Sequence, residues 1–145
     1  MAAKVDPADE AYYEHAIAPL IRDTPLVEFV GEVDERQKDA LLGGVYAYLF
    51  PIDWPEPFGL TMVEAMATGT PVVAYRAGSV PEVVVDGVTG FVCDTFHAMV
   101  EAVPRVRELD RAACRAHVKA HFSAAAMATG YEQVYRQLCG SAATA

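Results

Sequence analysis

Residues 45–75 read V-Y-A-Y-L-F-P-I-D-W-P-E-P-F-G-L-T-M-V-E-A-M-A-T-G-T-P-V-V-A-Y, and the fold turns on this stretch. Val45 to Ile52 is a near-continuous apolar run with three aromatic residues. Such a run suits a strand buried on both faces, as in a parallel sheet. Asp53 to Gly59 is a proline-rich loop. Leu60 to Thr68 reads as a short helix with Gly69 as its stop, and Pro71 to Tyr75 as a second buried strand. Strand, helix, strand is the repeating unit of an α/β fold with a parallel sheet.

The same alternation extends outward. Downstream, Gly78-Ser79 is a loop, Val80 to Val85 a short turn of helix or strand, Asp86-Gly87 a turn, and Gly90 to Cys93 the last short strand. Phe96 to Leu109 predicts one or two helical pieces around Pro104. Arg111 to Phe122 predicts another helix, Ser123 caps a final one through Leu138, and 141–145 is a frayed tail. Upstream, Ala2 to Val5 is the tail of a strand, and Asp6-Pro7 opens a helix carrying Tyr12, Tyr13, Ala16, Ile17 and Leu20 at helical spacing. Pro19 weakens that helix and Pro25 ends it. Leu26 to Val30 alternates as a strand, Gly31 turns the chain, and Asp34 caps a helix that stops at Gly43-Gly44. With no internal repeat or low-complexity linker, residues 1–140 are expected to form one domain.

Composition narrows the class. The chain has 145 residues, 53% apolar and 21% charged, which is a globular profile. No run is long and apolar enough for a membrane span, and the first residues lack the apolar segment of a signal peptide, so a cytoplasmic chain is expected. A net charge of −9 without a Lys/Arg cluster argues against nucleic acid as a partner. It leaves room for one anionic small ligand, because backbone amides at a helix start bind phosphate without side-chain charge. Cys93, Cys114 and Cys139 are widely spaced, form no C-x-x-C, and read as reduced, mostly buried thiols.

Glu56-Pro57-Phe58-Gly59-Leu60-Thr61-Met62-Val63-Glu64 carries the chemistry. It follows a buried strand and opens a helix, and open α/β sheets bind ligands beyond the carboxyl ends of their strands. Glu56 is therefore expected at the mouth of the cleft. Gly59 lets the backbone approach a ligand. The amides of Gly59, Leu60 and Thr61 then form a phosphate seat at the positive end of the helix dipole. Glu64, one turn further on, offers two acceptor oxygens for a pair of sugar hydroxyls.

These residues resemble the family-4 retaining glycosyltransferases of the GT-B fold. E-P-F-G-L-T-M-V-E with A-M-A-T-G-T-P-V-V-A, the later G-S-V-P-E-V-V-V-D-G-V-T-G-F-V and the earlier F-V-G-E-V all look like that family, over nearly the whole chain. The resemblance implies a Rossmann-like parallel sheet flanked by helices, the donor-binding half of the fold, acting on a nucleoside-diphosphate sugar. It implies that Glu56 contacts the donor sugar and steadies charge at the reacting carbon. Phe58, Gly59 and Leu60 would line sugar and diphosphate through their backbone, Thr61 would stand at the phosphate, and Glu64 would hold the ribose. Gly31, Glu32 and Val33 would border the nucleobase. Neither a metal nor a dinucleotide cofactor is implied. In a full-length enzyme the acceptor would be a glycan or a lipid, the latter with a membrane-peripheral location.

The sequence departs from the family in two ways. By the resemblance, the chain is expected to be truncated at its N-terminus, without the opening strand, its Gly-Arg turn and later Lys, and without the acceptor domain. The chain alone is thus expected to be inactive, or to need that half from another chain. By analogy the absent strand is central to the sheet, which implies impaired folding, altered pairing or completion in an oligomer. The rival reading is a non-catalytic nucleotide-binding or self-associating module.

Other residues carry alternatives. Glu56 and Glu64 as a glycosidase pair would need about 5–9.5 Å between carboxyls. Arg76, after a strand on the cleft side, is either a phosphate contact or a solvated loop charge. Cys114, His117 and His121 have metal-ligand spacing without a fourth ligand, and read more simply as a polar helix face. Tyr131 and Tyr135, one turn apart, read as packing residues that leave an apolar patch where no partner domain covers them.

Overall fold

A computed structural model describes residues 1–142, with side chains through Gly140. The chain gathers into two compact units, residues 1–40 and 41–145. The span 1–140 anticipated as a single domain contains both. The tail 141–145 lies outside the described residues, except that the backbone of 141 and 142 continues the last helix.

The second unit is an α/β domain. β1 (Tyr48–Phe50), β2 (Val72–Tyr75) and β3 (Gly90–Cys93) form a parallel sheet in that order, with Tyr48 opposite Val72 and Val72 opposite Gly90. Parallel neighbours need crossovers. These carry α4 (Leu60–Ala67) and the short α5 (Val80–Val83). β2 is buried on both faces, as its sequence implies. Val72 and Ala74 pack with Met62, Met66, Val83 and Cys114, while Val73 packs on the other side with Phe91, Met99 and Val106. That second face is covered by α6 (Phe96–Ala102) and the 3-10 turn Val103–Glu108. α7 (Arg111–His121) and α8 (Ala124–Ala142) complete the unit, with Asp110 and Ser123 accepting from Ala112 N and Ala126 N at their starts.

β1 differs from expectation. It has three residues rather than eight, and Leu49 is 50% exposed. Tyr46 and Val45 are drawn off the ladder by α7 and the 3-10 turn. The Tyr46 hydroxyl bonds Pro104 O and Arg107 N, and Arg111 donates to Val45 O. Pro51, without an N–H, ends the ladder after Phe50. Among the described residues only β2 pairs with β1, so this is an edge strand whose Leu49 side is not roofed by the helices that cover Val73.

In the first unit Asp6 caps the 3-10 turn Pro7–Asp9, accepting from Ala8 N. α1 (Glu10–Tyr12) leads into a π stretch, Tyr13–Ile17, and then α2 (Ala18–Arg22). Proline in a helix removes one donor and crowds the carbonyl four residues back. Pro19 is accommodated by the widened turn, in which Ala18 N donates to Tyr13 O. Leu26 to Val30 is not a strand, and Leu26 is 97% exposed. Nor is Ala2 to Val5. Three bonds join the chain start to this stretch, the Met1 amino group to Glu28 O, Val30 N to Met1 O and Ala3 N to Gly31 O, without making a regular strand of either segment. Asp34 and Gln37 form a reciprocal capping box at the start of α3 (Glu35–Gly44), which runs through both glycines rather than stopping before them.

Candidate functional site

At the carboxyl end of the sheet, the loop after β1 and the loop after β2 are tied together. Ser79 N donates to Glu56 O at 2.8 Å. Gly78 lies flat against Glu56, with φ +50°, and a Cβ there would overlap the Glu56 backbone. Gly59 takes the left-handed conformation, φ +72° and ψ +53°, as the N-cap residue of α4. This turn swings the chain from the loop into the helix.

The carboxylate of Glu56 folds back onto that turn. Its Oε1 accepts from Gly59 N at 3.0 Å and from Phe58 N at 3.4 Å. A carboxylate at the positive end of a helix is favourable. The seat that sequence reasoning assigned to an anion is thus partly filled by the chain's own acid. Thr61 Oγ1 accepts from the Tyr48 hydroxyl at 3.0 Å. Burial pushes the Tyr48 phenol pKa up, and the charge of Glu64 pushes it the same way, against the bond to Thr61. Glu64 is half-buried near that hydroxyl.

Glu56, Phe58, Gly59, Leu60, Thr61 and Glu64 therefore converge on the first two turns of α4 and the loop before it. Phe58 and Leu60 expose their side chains, 49% and 59%, and Phe58 leans edge-on to Phe122. Arg76 leaves the end of β2 but turns to the end of β3, where its Nε donates to Asp94 Oδ1 at 2.8 Å. The two line a cavity of about 320 Å³ with Asp53, Tyr75 and Phe96. Gly31, Glu32 and Val33 belong to the first unit, where Gly31 has φ +75°.

Two residues stand out only in the structure. By pattern Ser79 is a loop residue, although its hydroxyl is buried beside Gly59. By pattern Tyr48 is a strand aromatic, although its hydroxyl reaches Thr61. A serine directly after a glycine at the end of a buried strand was the available signal for the first.

The larger cavity, about 470 Å³, lies at the opposite end of the strands beside Thr68, Gly69, Arg111, Arg115 and Lys119. Its guanidinium groups serve helix ends. Arg111 donates to Val45 O, Gly43 O and Thr70 Oγ1, and Arg115 donates to Thr68 O. Cys114 and His117 do not form the polar face expected of α7. Cys114 is fully buried with its thiol toward Thr89 O, and His117 Nε2 lies 3.1 Å from Val83 O. Cys139, unlike the other two thiols, is exposed. No helix among the described residues is long and apolar enough to cross a membrane.

The fold and the position of the site define an open parallel α/β domain that presents its polar loops beyond the strand ends. Comparison with known proteins gives the class a family. The family described as "Glycosyl transferases group 1" matches residues 13–120, and the chain belongs to it. The chain is 35% identical to the glycogen synthase of Mycobacterium tuberculosis over 115 residues, covering 74% of this chain and 28% of that protein. It is 36% identical to the D-inositol 3-phosphate glycosyltransferase of Corynebacterium diphtheriae over 135 residues, covering 86% and 31%. The sucrose-phosphate synthase of Thermosynechococcus elongatus, a GT-B glycosyltransferase, superposes with a TM-score of 0.75 at 30% identity, covering 97% of this chain and 38% of that one. The chain thus spans about a third of the length of such relatives.

Proposed function

We propose that this chain binds a nucleoside-diphosphate sugar at the start of α4. In the complete protein it would serve retaining transfer of a hexose to a glycan or lipid acceptor. One observation carries the reading: the left-handed Gly59 turn and the amides that open α4 stand beside Glu56 and Glu64 at the carboxyl end of a parallel sheet. In this reading the amides of Gly59, Leu60 and Thr61 take diphosphate oxygens. Phe58 and Gly59 shape the sugar pocket through their backbone, and Glu64 accepts from the ribose hydroxyls. Glu56 meets the sugar hydroxyls and the positive charge that develops at the reacting carbon. Gly31, Glu32 and Val33 border the base, and Arg76 supplies a cation near the phosphates. Fixed dipoles aimed at the departing diphosphate are the main source of rate, and no resident metal is required. The acceptor and the remaining phosphate-binding cations would come from the rest of the protein, at a cytoplasmic site that is membrane-peripheral if the acceptor is a lipid.

Calorimetric titration of the chain with UDP and with GDP tests this. Saturable binding of one of them is expected, weakened roughly tenfold by Glu64→Ala through loss of charged hydrogen bonds. A chain folded by circular dichroism that binds neither, at millimolar nucleotide, would remove the reading.

A second reading has its own observation. Met127, Tyr131, Val134, Tyr135 and Leu138 are all exposed along α8. That row favours self-association or docking of another domain. Sedimentation of a purely monomeric chain would sink the self-associating form.

A further inference from the structure

Among the described residues, Ser79 Oγ is the buried side-chain polar atom left without a hydrogen-bond partner. Ser79 is 8% exposed and holds the N-cap position of α5, yet its hydroxyl makes no cap bond. Glu82 N and Val83 N bond its carbonyl instead. The hydroxyl is aimed at the start of α4, 3.6 Å from where a Cβ on Gly59 would stand. Cγ of Glu56 lies 3.5 Å from that same point, and the Ser79 N–H already holds Glu56 O. The Glu56 side chain and the Ser79 hydroxyl therefore border the same point at the start of α4.

A buried hydroxyl without a partner is destabilising, and such groups are rare in folded proteins. An anion arriving at the start of α4 meets a conflict, because the Gly59 amide already serves the Glu56 carboxylate. Sharing one N–H between two anions weakens both bonds and sets the like charges against each other. A displaced, half-buried carboxylate then needs another donor.

We propose that Ser79 is that donor, a positioning residue for Glu56. When a diphosphate takes the amides at the start of α4, the carboxylate leaves Gly59 and Phe58 and one of its oxygens accepts the Ser79 hydroxyl. The other oxygen is thereby turned toward the sugar. The serine keeps its proton throughout. This role rests on the donor-site reading above.

Titration with UDP and GDP of the wild type, Ser79→Ala, Glu56→Ala and the double variant tests it. Ser79→Ala weakens binding roughly ten- to hundredfold, the loss of one hydrogen bond to a charged group. Glu56→Ala binds at least as tightly as wild type, because the internal competitor is gone. Adding Ser79→Ala to Glu56→Ala changes nothing further, the coupling that a double-mutant cycle detects. Ser79→Ala alone also unfolds at an equal or higher urea concentration, since it removes an orphaned polar group. Ser79→Gly replaces it if that variant does not fold. Binding by wild type that Ser79→Ala leaves unchanged overturns the positioning role alone. So does an equal loss in both backgrounds, which would make the hydroxyl a direct or purely structural contact. Absence of binding by wild type and Glu56→Ala alike takes down the donor-site reading and this role with it.

Discussion

Gly59 and Gly78 flank Glu56 and are needed for different reasons. Gly59 turns the chain into α4 through a conformation that L side chains rarely adopt, and a Cβ there would meet the Met62 methyl, the movable end of a flexible side chain. At Gly78 a Cβ would meet backbone atoms of Glu56 and Pro55, which cannot step aside without moving the loop. Gly78→Ala is therefore the more damaging change. It is expected to cost about 1–3 kcal/mol or more in urea unfolding, and to abolish nucleotide binding by displacing Glu56. A variant with wild-type stability would show that the loop yields freely. Neither requirement was legible at Gly78, whose neighbour in space lies 22 positions back. The motif from Glu56 to Glu64 was legible because all its parts fall in one loop and one helix. Arg76 was half legible, since its place at the end of a strand followed from the sequence but its partner Asp94 did not. Such an exposed pair contributes little to stability, so Arg76→Ala is expected to leave urea unfolding within about 0.5 kcal/mol of wild type. A larger loss would give the pair a structural role.

At the scale of elements, caps were the most reliable signals, because a cap is a contact within three residues. Asp6, Asp34 and Ser123 all cap as their positions predict, and Asp110 caps α7 in the same way. Strands were less legible. β2 is buried on both faces and matches its apolar run, whereas Val45 to Ile52 yields only Tyr48–Phe50, because Tyr46 and Val45 bind distant residues. Leu26 to Val30 has strand-like alternation, but its bonds to Met1 do not extend into a regular ladder, and pattern alone cannot supply one. The capping box of α3 gives a direct test. Asp34→Ala removes the acceptor for Gln37 N and is expected to cost about 1 kcal/mol where α3 is coupled to the core through Leu42. Unchanged urea unfolding would mean that the first turns of α3 fray independently of Leu42.

Over the whole molecule, burial is unevenly shared. Among the described residues, every buried one lies between Leu42 and Cys114, and none of residues 1–40 is buried. Cooperative protection from exchange follows buried apolar contacts rather than hydrogen bonds alone. The hydrogen-bonded helices of residues 7–22 should accordingly open without the rest of the chain. Hydrogen exchange on the intact chain is expected to show amides of β2 and α4 exchanging only through global unfolding. Those of α1 and α2 would be at least about tenfold less protected. The thiols report the same asymmetry. Burial raises the pKa of Cys93 and Cys114, so both stay protonated and shielded in the folded state, while Cys139 is exposed. A folded-state pKa above the unfolded value means that the associated stability is intact below about pH 9 and declines as pH rises through the folded value. At pH 8 a disulfide reagent is therefore expected to modify one thiol rapidly and the other two only at the rate of global unfolding, the rate that also governs β2 exchange. Rapid modification of all three, or equal protection of residues 7–22 and β2, would show that cohesion does not reside in the Leu42–Cys114 core. Agreement of the two rates would tie the loops after β1 and β2 to the most persistent part of the chain, where a pre-organised site has to be built.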